Sequence, residues 1–185
     1  MHSVGITIGD DAGALPITAD EDLARGCAAR LLISASTERN VEVLARRIHE
    51  GGPRAHCPFL QLWAVDFPVE PQALREYCSI ALDRAPGGSL LIDAVEEMPQ
   101  TVQDTLIELL DGLEFTRGPS DAARLISGTT VSLLDRIAAG TFSDQLFYRL
   151  NIIHLMALDG RSSLTRDYDA QDVDVIEPSA PKLPR

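Results

Sequence analysis

GGSLLIDAVEEMPQTVQDTLIELLDGLEF, residues 87–115, combines a buried strand with an amphipathic helix and decides the fold of this chain. Its SLLID segment, Ser89 to Asp93, is a short apolar run typical of a buried strand, and it ends in a carboxylate. The spacing predicts a helix next, with Thr101 as its N-cap. The apolar stripe of this helix consists of Val102, Leu106, Leu109, Leu110 and Leu113.

The same alternation extends outward from this segment in both directions. Further strands are predicted at residues 29–34, 58–65, 124–128 and 152–157. Further helices are predicted through residues 41–48 and at 71–85, 133–139 and 144–150. Strands that alternate with helices favour a mainly parallel sheet, because parallel neighbours need crossover connections. The pattern therefore predicts an α/β fold.

Composition and charge exclude several classes of function. The chain has 185 residues and a formal net charge of −12, which disfavours direct binding to nucleic acid. Lys182 is the single lysine, so mechanisms that need a fixed ammonium group are excluded. Three widely spaced cysteines without a CxxC pair indicate reduced thiols, and no apolar run is long enough for a membrane span. We expect a cytoplasmic protein with no membrane contact.

Changes in composition predict three regions. Residues 1–28 form an N-terminal extension, residues 29–158 form the α/β domain, and residues 159–185 form a disordered tail that is acidic and contains proline. A solvated terminus is favoured over a binding motif for this tail.

Four segments, in order, resemble the central AAA+ domain of sigma-54-dependent transcriptional activators. Residues 87–115 resemble the Walker B strand and its helix, and FSDQLFYRLNII, residues 142–153, is similar to FREDLYYRLNV with YRLN intact. RLISGTTVSLL, residues 124–134, resembles the sensor I strand, and LLISASTERNVEVLARRIH, residues 31–49, resembles LITGESGTGKEVVARAIH. The resemblance implies a P-loop-NTPase-like three-layer αβα sandwich with a five-stranded, mainly parallel sheet, here without the helical lid.

The departures from this family fall on its nucleotide chemistry. Ala35 and Asn40 replace glycines of the Walker A loop, and Val41 replaces its lysine, so backbone N–H groups and an ammonium are lost for phosphate. Ala94 replaces the glutamate that follows the Walker B aspartate. Glu96 is nearby, but a shift of two residues points its carboxylate elsewhere. The resemblance thus favours a domain that is not an enzyme, with ATP and Mg²⁺ kept only as candidate cofactors.

Four residues remain as candidates at sites that the resemblance implies. Asp93 is a candidate cofactor-binding residue through Mg²⁺, or else a capping or solvated carboxylate. Thr129 and Thr130 would sense a nucleotide, or else serve ordinary turn chemistry. Arg149 of YRLN would project across a subunit interface, or else hold its helix against its own domain. No catalytic residue and no protein metal site are predicted.

The expected function is a non-catalytic AAA+-like module that regulates transcription by protein contact. Its partner would be a homologous AAA+ activator or a second copy of the chain. The family's sigma-contacting loop is not expected, because the segment between the second and third strands holds only the helix at 71–85. Two alternatives stay open, a residual ATP-binding or weakly ATP-hydrolysing domain of a transcriptional regulator, and a truncated relic.

Overall fold

The computed structural model describes residues 19–112, 122–158 and 161–165 of the chain. The strands are β1 (Leu31–Ala35), β2 (Phe59–Trp63), β3 (Ser89–Asp93), β4 (Arg124–Thr129), β5 (Ile153–Leu158) and β6 (Arg161–Thr165). The helices are α1 (Ala19–Gly26), α2 (Glu38–Glu50), α3 (Pro71–Arg84), α4 (Gln100–Asp111), α5 (Leu133–Ala138) and α6 (Asp144–Leu150). Short 3₁₀ turns follow β2 at Ala64–Asp66 and β3 at Val95–Glu97.

One sheet holds these strands in the order β2-β3-β4-β1-β5-β6. Its first five strands are parallel, so the predicted α/β class and the five parallel strands are confirmed. β6 adds a sixth, antiparallel strand, with Thr165 opposite His154. The expectation of disorder from residue 159 is therefore wrong for residues 161–165. The sequence RSSLT is too polar to predict a strand, and the open edge of β5 supplies its backbone pairing.

Helices cover both faces of the sheet and give the three layers. On one face, α1 and α2 pack over a cluster that includes Leu31, Ile33, Val41, Leu44 and Ile126. On the other face, α3 to α6 cover a larger cluster that includes Leu32, Leu74, Leu90, Leu106 and Leu146. The longest helix among the described residues, α3, has 14 residues, whereas crossing a membrane takes about 20. None of the described helices is long and apolar enough to span a bilayer.

The start of α4 differs from its prediction. The helix begins at Gln100, and Pro99 occupies the N-cap position instead of Thr101. A proline suits a helix start because its φ is fixed and it has no N–H to leave unpaired. Thr101 lies inside the first turn, where its carbonyl oxygen accepts a 2.9 Å hydrogen bond from Thr105 Oγ1. Leu113, assigned to the stripe from sequence, lies outside the described residues.

Residues before the predicted domain boundary at 28/29 pack against the domain, so the folded unit does not begin there. Within the supposed extension, α1 contacts the domain through Glu21, whose fully buried carboxylate accepts a 2.8 Å hydrogen bond from Arg47. The buried guanidinium of Arg124 donates to the carbonyl oxygens of Ala24, at 2.6 Å, and Ala29, at 2.9 Å. The structure thus extends the folded unit to residue 19 at least.

Candidate functional site

The connection from β1 to α2 is the segment that the sequence resemblance aligns with the family's phosphate loop. β1 ends at Ala35 and α2 begins at Glu38, so only Ser36 and Thr37 separate them. Thr37 caps the helix: its carbonyl oxygen accepts from the N–H groups of Asn40 (3.0 Å) and Val41 (3.1 Å), and its Oγ1 accepts from the former at 3.2 Å. The N–H groups of residues 40 and 41 are therefore bonded within the chain instead of being directed at a ligand.

Val41, which the sequence resemblance aligns with the family's lysine, has a side chain that is fully buried in the cluster under α1 and α2. It packs against β4 so closely that a Cβ on Gly128 would lie 2.3 Å from Val41 Cγ1. The same Cβ would lie 2.7 Å from Asp93 Oδ1, so the valine and the aspartate flank one glycine. An isopropyl group thus fills space beside the carboxylate at the end of β3.

Asp93 has no exposed surface, and its oxygens are bonded within the chain. Oδ1 accepts from the N–H of Ala94 at 2.9 Å, and Oδ2 accepts from Gln61 Nε2 of β2 at 3.2 Å. Burial raises the pKa of this carboxyl group, and the charges of Glu38 and Glu96 raise it further. The solvated interpretation of Asp93 is wrong, because the residue is fully buried, and its carboxylate does not cap the following 3₁₀ turn, whose N-cap position is Ala94 without a side-chain hydrogen bond. Its role toward Mg²⁺ stays a prediction.

Ala94 has a left-handed backbone, with φ 54° and ψ 47°, which is uncommon for a residue with a Cβ. This kink sends the chain into the 3₁₀ turn that carries Glu96. The Glu96 side chain, 9% exposed, reaches the end of β4, where its Oε1 accepts from Thr130 N at 2.9 Å and from Thr130 Oγ1 at 3.0 Å. Its Oε2 is buried and has no hydrogen-bond partner among the described residues.

The Glu96 contact was missed from sequence. The available signal was that β3 and β4 are adjacent parallel strands, so residues after their ends meet at one edge. Thr129 is fully buried, and its Oγ1 donates to the carbonyl oxygen of Val131 at 3.2 Å. Both threonines thus bond to the chain itself in the described structure, and their nucleotide-sensing role stays a prediction.

Arg149 lies at the other end of the strands, near the amino end of β1. Its guanidinium forms a bidentate pair with Asp111 at the end of α4, with distances of 2.7 and 2.5 Å, and also donates to Gln145 O at 2.9 Å. Arg30, just before β1, donates to the carbonyl oxygen of Arg149 at 3.0 Å. Asp93 and Thr130 both lie at the carboxyl ends of the strands, because β3 and β4 are adjacent and parallel. Arg149 lies near the amino end of β1, and a five-residue strand spans roughly 15 Å, so the structure leaves Arg149 remote from them. The arginine hydrogen bond holds the pKa of Asp111 below its ordinary value.

The described residues at the carboxyl ends of the parallel strands do not fit a nucleoside triphosphate. Phosphate oxygens need converging N–H donors and a cation, whereas here the N–H groups of residues 40 and 41 are bonded to Thr37 and a buried valine replaces the lysine. Ala94 has no group that could polarise water, and Glu96 is held by Thr130. No cluster of three or more metal-ligating side chains occurs within the described ranges.

Comparison with characterised proteins gives one consistent family. A family model described as "Sigma-54 interaction domain" matches residues 78–156. Regulatory protein AtoC of Escherichia coli is 32% identical in an alignment of 149 positions that covers 69% of this chain and 32% of that protein. The nitrogen assimilation regulatory protein NtrX of Azorhizobium caulinodans is 33% identical in an alignment of 139 positions that covers 67% of this chain and 31% of that protein. The chain thus spans about a third of the length of these curated relatives.

Solved structures agree with this result. A structure of NtrX from Brucella abortus, described as a complex with ATP, superposes with a TM-score of 0.61 and 26% identity over 75% of this chain and 35% of that one. The P-loop NTPase domain of a sigma-54 activator from E. coli, at 19% identity and a TM-score of 0.50, supports the fold alone and covers 69% of this chain and 95% of that one.

Proposed function

This chain belongs to the family of sigma-54 interaction domains, and on that premise we propose that it is a non-catalytic module of transcription control. It acts by contact with another protein and does not turn over ATP. The partner is a homologous AAA+ activator or a second copy of the chain, in the cytoplasm, and DNA is not contacted directly.

The observation that carries this proposal is the start of α2. In the family, the corresponding loop cradles phosphate with backbone N–H groups and a lysine. Here Thr37 caps a helix that has already begun at Glu38, and Val41 is packed in the core. A nucleotide would have to unwind the first turn of α2, remove a cap worth about 1 kcal/mol, and still find no ammonium group. The loss of both binding and hydrolysis follows from the same segment.

A nucleotide-binding function is the second candidate. It is favoured by the relative NtrX, whose structures are described as complexes with ATP and with ADP. The aspartate at the end of β3 is also retained as Asp93. In this version the domain would keep an ATP site with weak or no hydrolysis.

Calorimetry with ATP and Mg²⁺ separates the two candidates. We expect no binding at micromolar concentrations and no release of phosphate above background. The control is Asp93→Asn, which removes the carboxylate but keeps a similar shape. Micromolar binding or measurable turnover that is lost in Asp93→Asn would contradict the proposal and support a working nucleotide site.

We expect that this chain by itself does not contact sigma-54. Between β2 and β3, all residues are described, and they form a 3₁₀ turn and the uninterrupted α3, with no additional loop. We expect no open-complex formation when this protein is the only activator in a reconstituted sigma-54 transcription assay. Open complexes in that assay would refute the proposal that another protein supplies the activity.

The contact surface is tested through Arg149. Affinity capture with a homologous activator, and light scattering of the chain alone, measure the two proposed assemblies. If Arg149 serves the interface, Arg149→Ala reduces partner binding while the melting temperature stays almost unchanged. Arg75→Ala is the matched control, because Arg75 also pairs with a carboxylate of α4, Glu108. Equal binding by both variants would remove Arg149 from the interface and leave its pair with Asp111 as its role.

A further inference from the structure

A chamber of about 330 Å³ lies under α5 and α6, on the face of the sheet opposite α2. β1 and β5 form its floor with Leu32, Ser34 and Met156, and α5 and α6 contribute Leu133 and Phe147. It opens near the carboxyl ends of β4 and β1. The chain leaves β1 toward α2 on one face of the sheet and leaves β4 toward α5 on the other face. Ligands of open α/β sheets commonly bind at such a reversal.

The side chains around this chamber define the kind of molecule that fits. No charged side chain is among its lining residues in the described part of the chain. On its rim, Thr130 is already bonded to the Glu96 carboxylate, which would repel an anion. Phosphates and carboxylates are thus disfavoured, and an uncharged ligand matches the lining. The Phe147 ring and the Met156 thioether favour an aromatic ring between them.

One corner of the chamber is polar. Ser34 Oγ and His154 Nε2 form a 2.8 Å hydrogen bond there, and both residues line the chamber. A hydroxyl group carries one donor and two acceptor lone pairs, so Ser34 Oγ keeps the capacity for a further hydrogen bond. A ligand hydroxyl can donate or accept as that pair requires, whichever tautomer the histidine adopts.

We propose that this chamber binds an uncharged aromatic molecule that carries one hydroxyl group. The ring lies between Phe147 and Met156, and the hydroxyl group bonds to Ser34. A volume of about 330 Å³ is at the lower end of the range for small-molecule sites. The chamber borders the phosphate position at Ala35, which lines it, whereas Val41 and the rest of the apolar side of α2 pack on the other face of the sheet.

The test uses two probes of equal size, benzyl alcohol and ethylbenzene, in NMR titrations of the full chain. Both should shift backbone amides of residues 32–35, 131–133 and 154–156. Benzyl alcohol should bind about five-fold more tightly, as expected for one added hydrogen bond. Ser34→Ala should abolish that difference between the probes. ATP should leave these amides unshifted.

Met156→Trp should fill the chamber and abolish binding of both probes. Ile152→Trp is the control, since Ile152 is 58% exposed and does not line the chamber. The proposal is overturned if neither probe shifts these amides, if Met156→Trp leaves binding unchanged, or if Ser34→Ala preserves the preference for the alcohol. Shifts of the same amides with protein concentration alone would assign the chamber to a second copy and would also overturn it.

Discussion

Gly128→Ala probes the packing of Val41 directly. A methyl group at residue 128 would lie 2.3 Å from Val41 Cγ1, whereas carbon atoms in contact lie about 3.5–4.0 Å apart. The valine has little freedom to retreat, because it is β-branched, sits in a helix and is fully buried. Either the helix or the strand must shift by about 1 Å.

The expected magnitudes follow from this clash. Gly128→Ala should lower the free energy of unfolding by about 1–3 kcal/mol through overpacking. Val41→Ala removes two buried methyl groups and should cost about 2–3 kcal/mol. In the double variant the new methyl group occupies space that the valine has vacated. Its cost should therefore be about 1–2 kcal/mol smaller than the sum of the single costs.

Urea unfolding followed by circular dichroism at 25 °C measures all four chains. Gly26→Ala is the control, since no atom lies within 4 Å of a Cβ at that position, and its effect should stay within about 0.5 kcal/mol. If the two single costs add within about 0.3 kcal/mol, Val41 does not occupy the space beside Gly128, and the core position assigned to it is wrong.

Three further changes test other parts of the structure. The pKa of Asp93 is raised above 3.8 in the folded chain, so ionisation of this carboxyl group lowers the stability of the fold as pH rises from about 4 to the folded-state pKa, and the loss stays constant above it. Asp93→Asn should therefore gain stability over the wild-type chain as pH rises through that window, and an equal pH dependence of urea unfolding for the two chains would refute this. In Arg149→Ala, the lowered pKa of Asp111 should rise toward 3.8 in carboxyl NMR titrations, and an unchanged value would show that the ion pair does not form in solution. Arg124→Lys loses the guanidinium bonds to Ala24 of α1 and to Ala29 and should cost about 2–4 kcal/mol, with faster amide exchange in α1. Protection of α1 equal to wild type would refute the anchoring role.

The main elements could be predicted because their apolar residues recur at the spacing of the structure they form. Ser89–Asp93 and the apolar positions of α4 carry this signal most clearly, and the structure confirms both. α1 and β6 carry almost no such signal. In the first, four of the eight residues of ADEDLARG are charged, and the position of the helix depends on partners far along the chain, such as Arg47 and Arg124.

The candidate site was less predictable, because its contacts join residues that are distant in sequence. Asp93 could be placed at a strand end from sequence, but its burial depends on Val41 and Gln61, which belong to other elements. Glu96 bonds to a residue 34 positions away, and Arg149 pairs with one 38 positions away. No local periodicity reports such pairs, and parallel neighbours are brought together only when the whole sheet forms.

The burial of Val41 also constrains the order in which mutations could create an ATP site of the family's kind in this chain. A lysine introduced there alone would place an ammonium group in an apolar cluster, at a cost of several kcal/mol against a total stability of about 5–15 kcal/mol. The substitution becomes tolerable only after the first turn of α2 has opened into a loop, which requires glycines in place of residues of that turn such as Asn40. Those glycines in turn weaken the helix without any benefit until the lysine arrives. Each single step toward the family's phosphate-binding motif therefore lowers the stability of this fold.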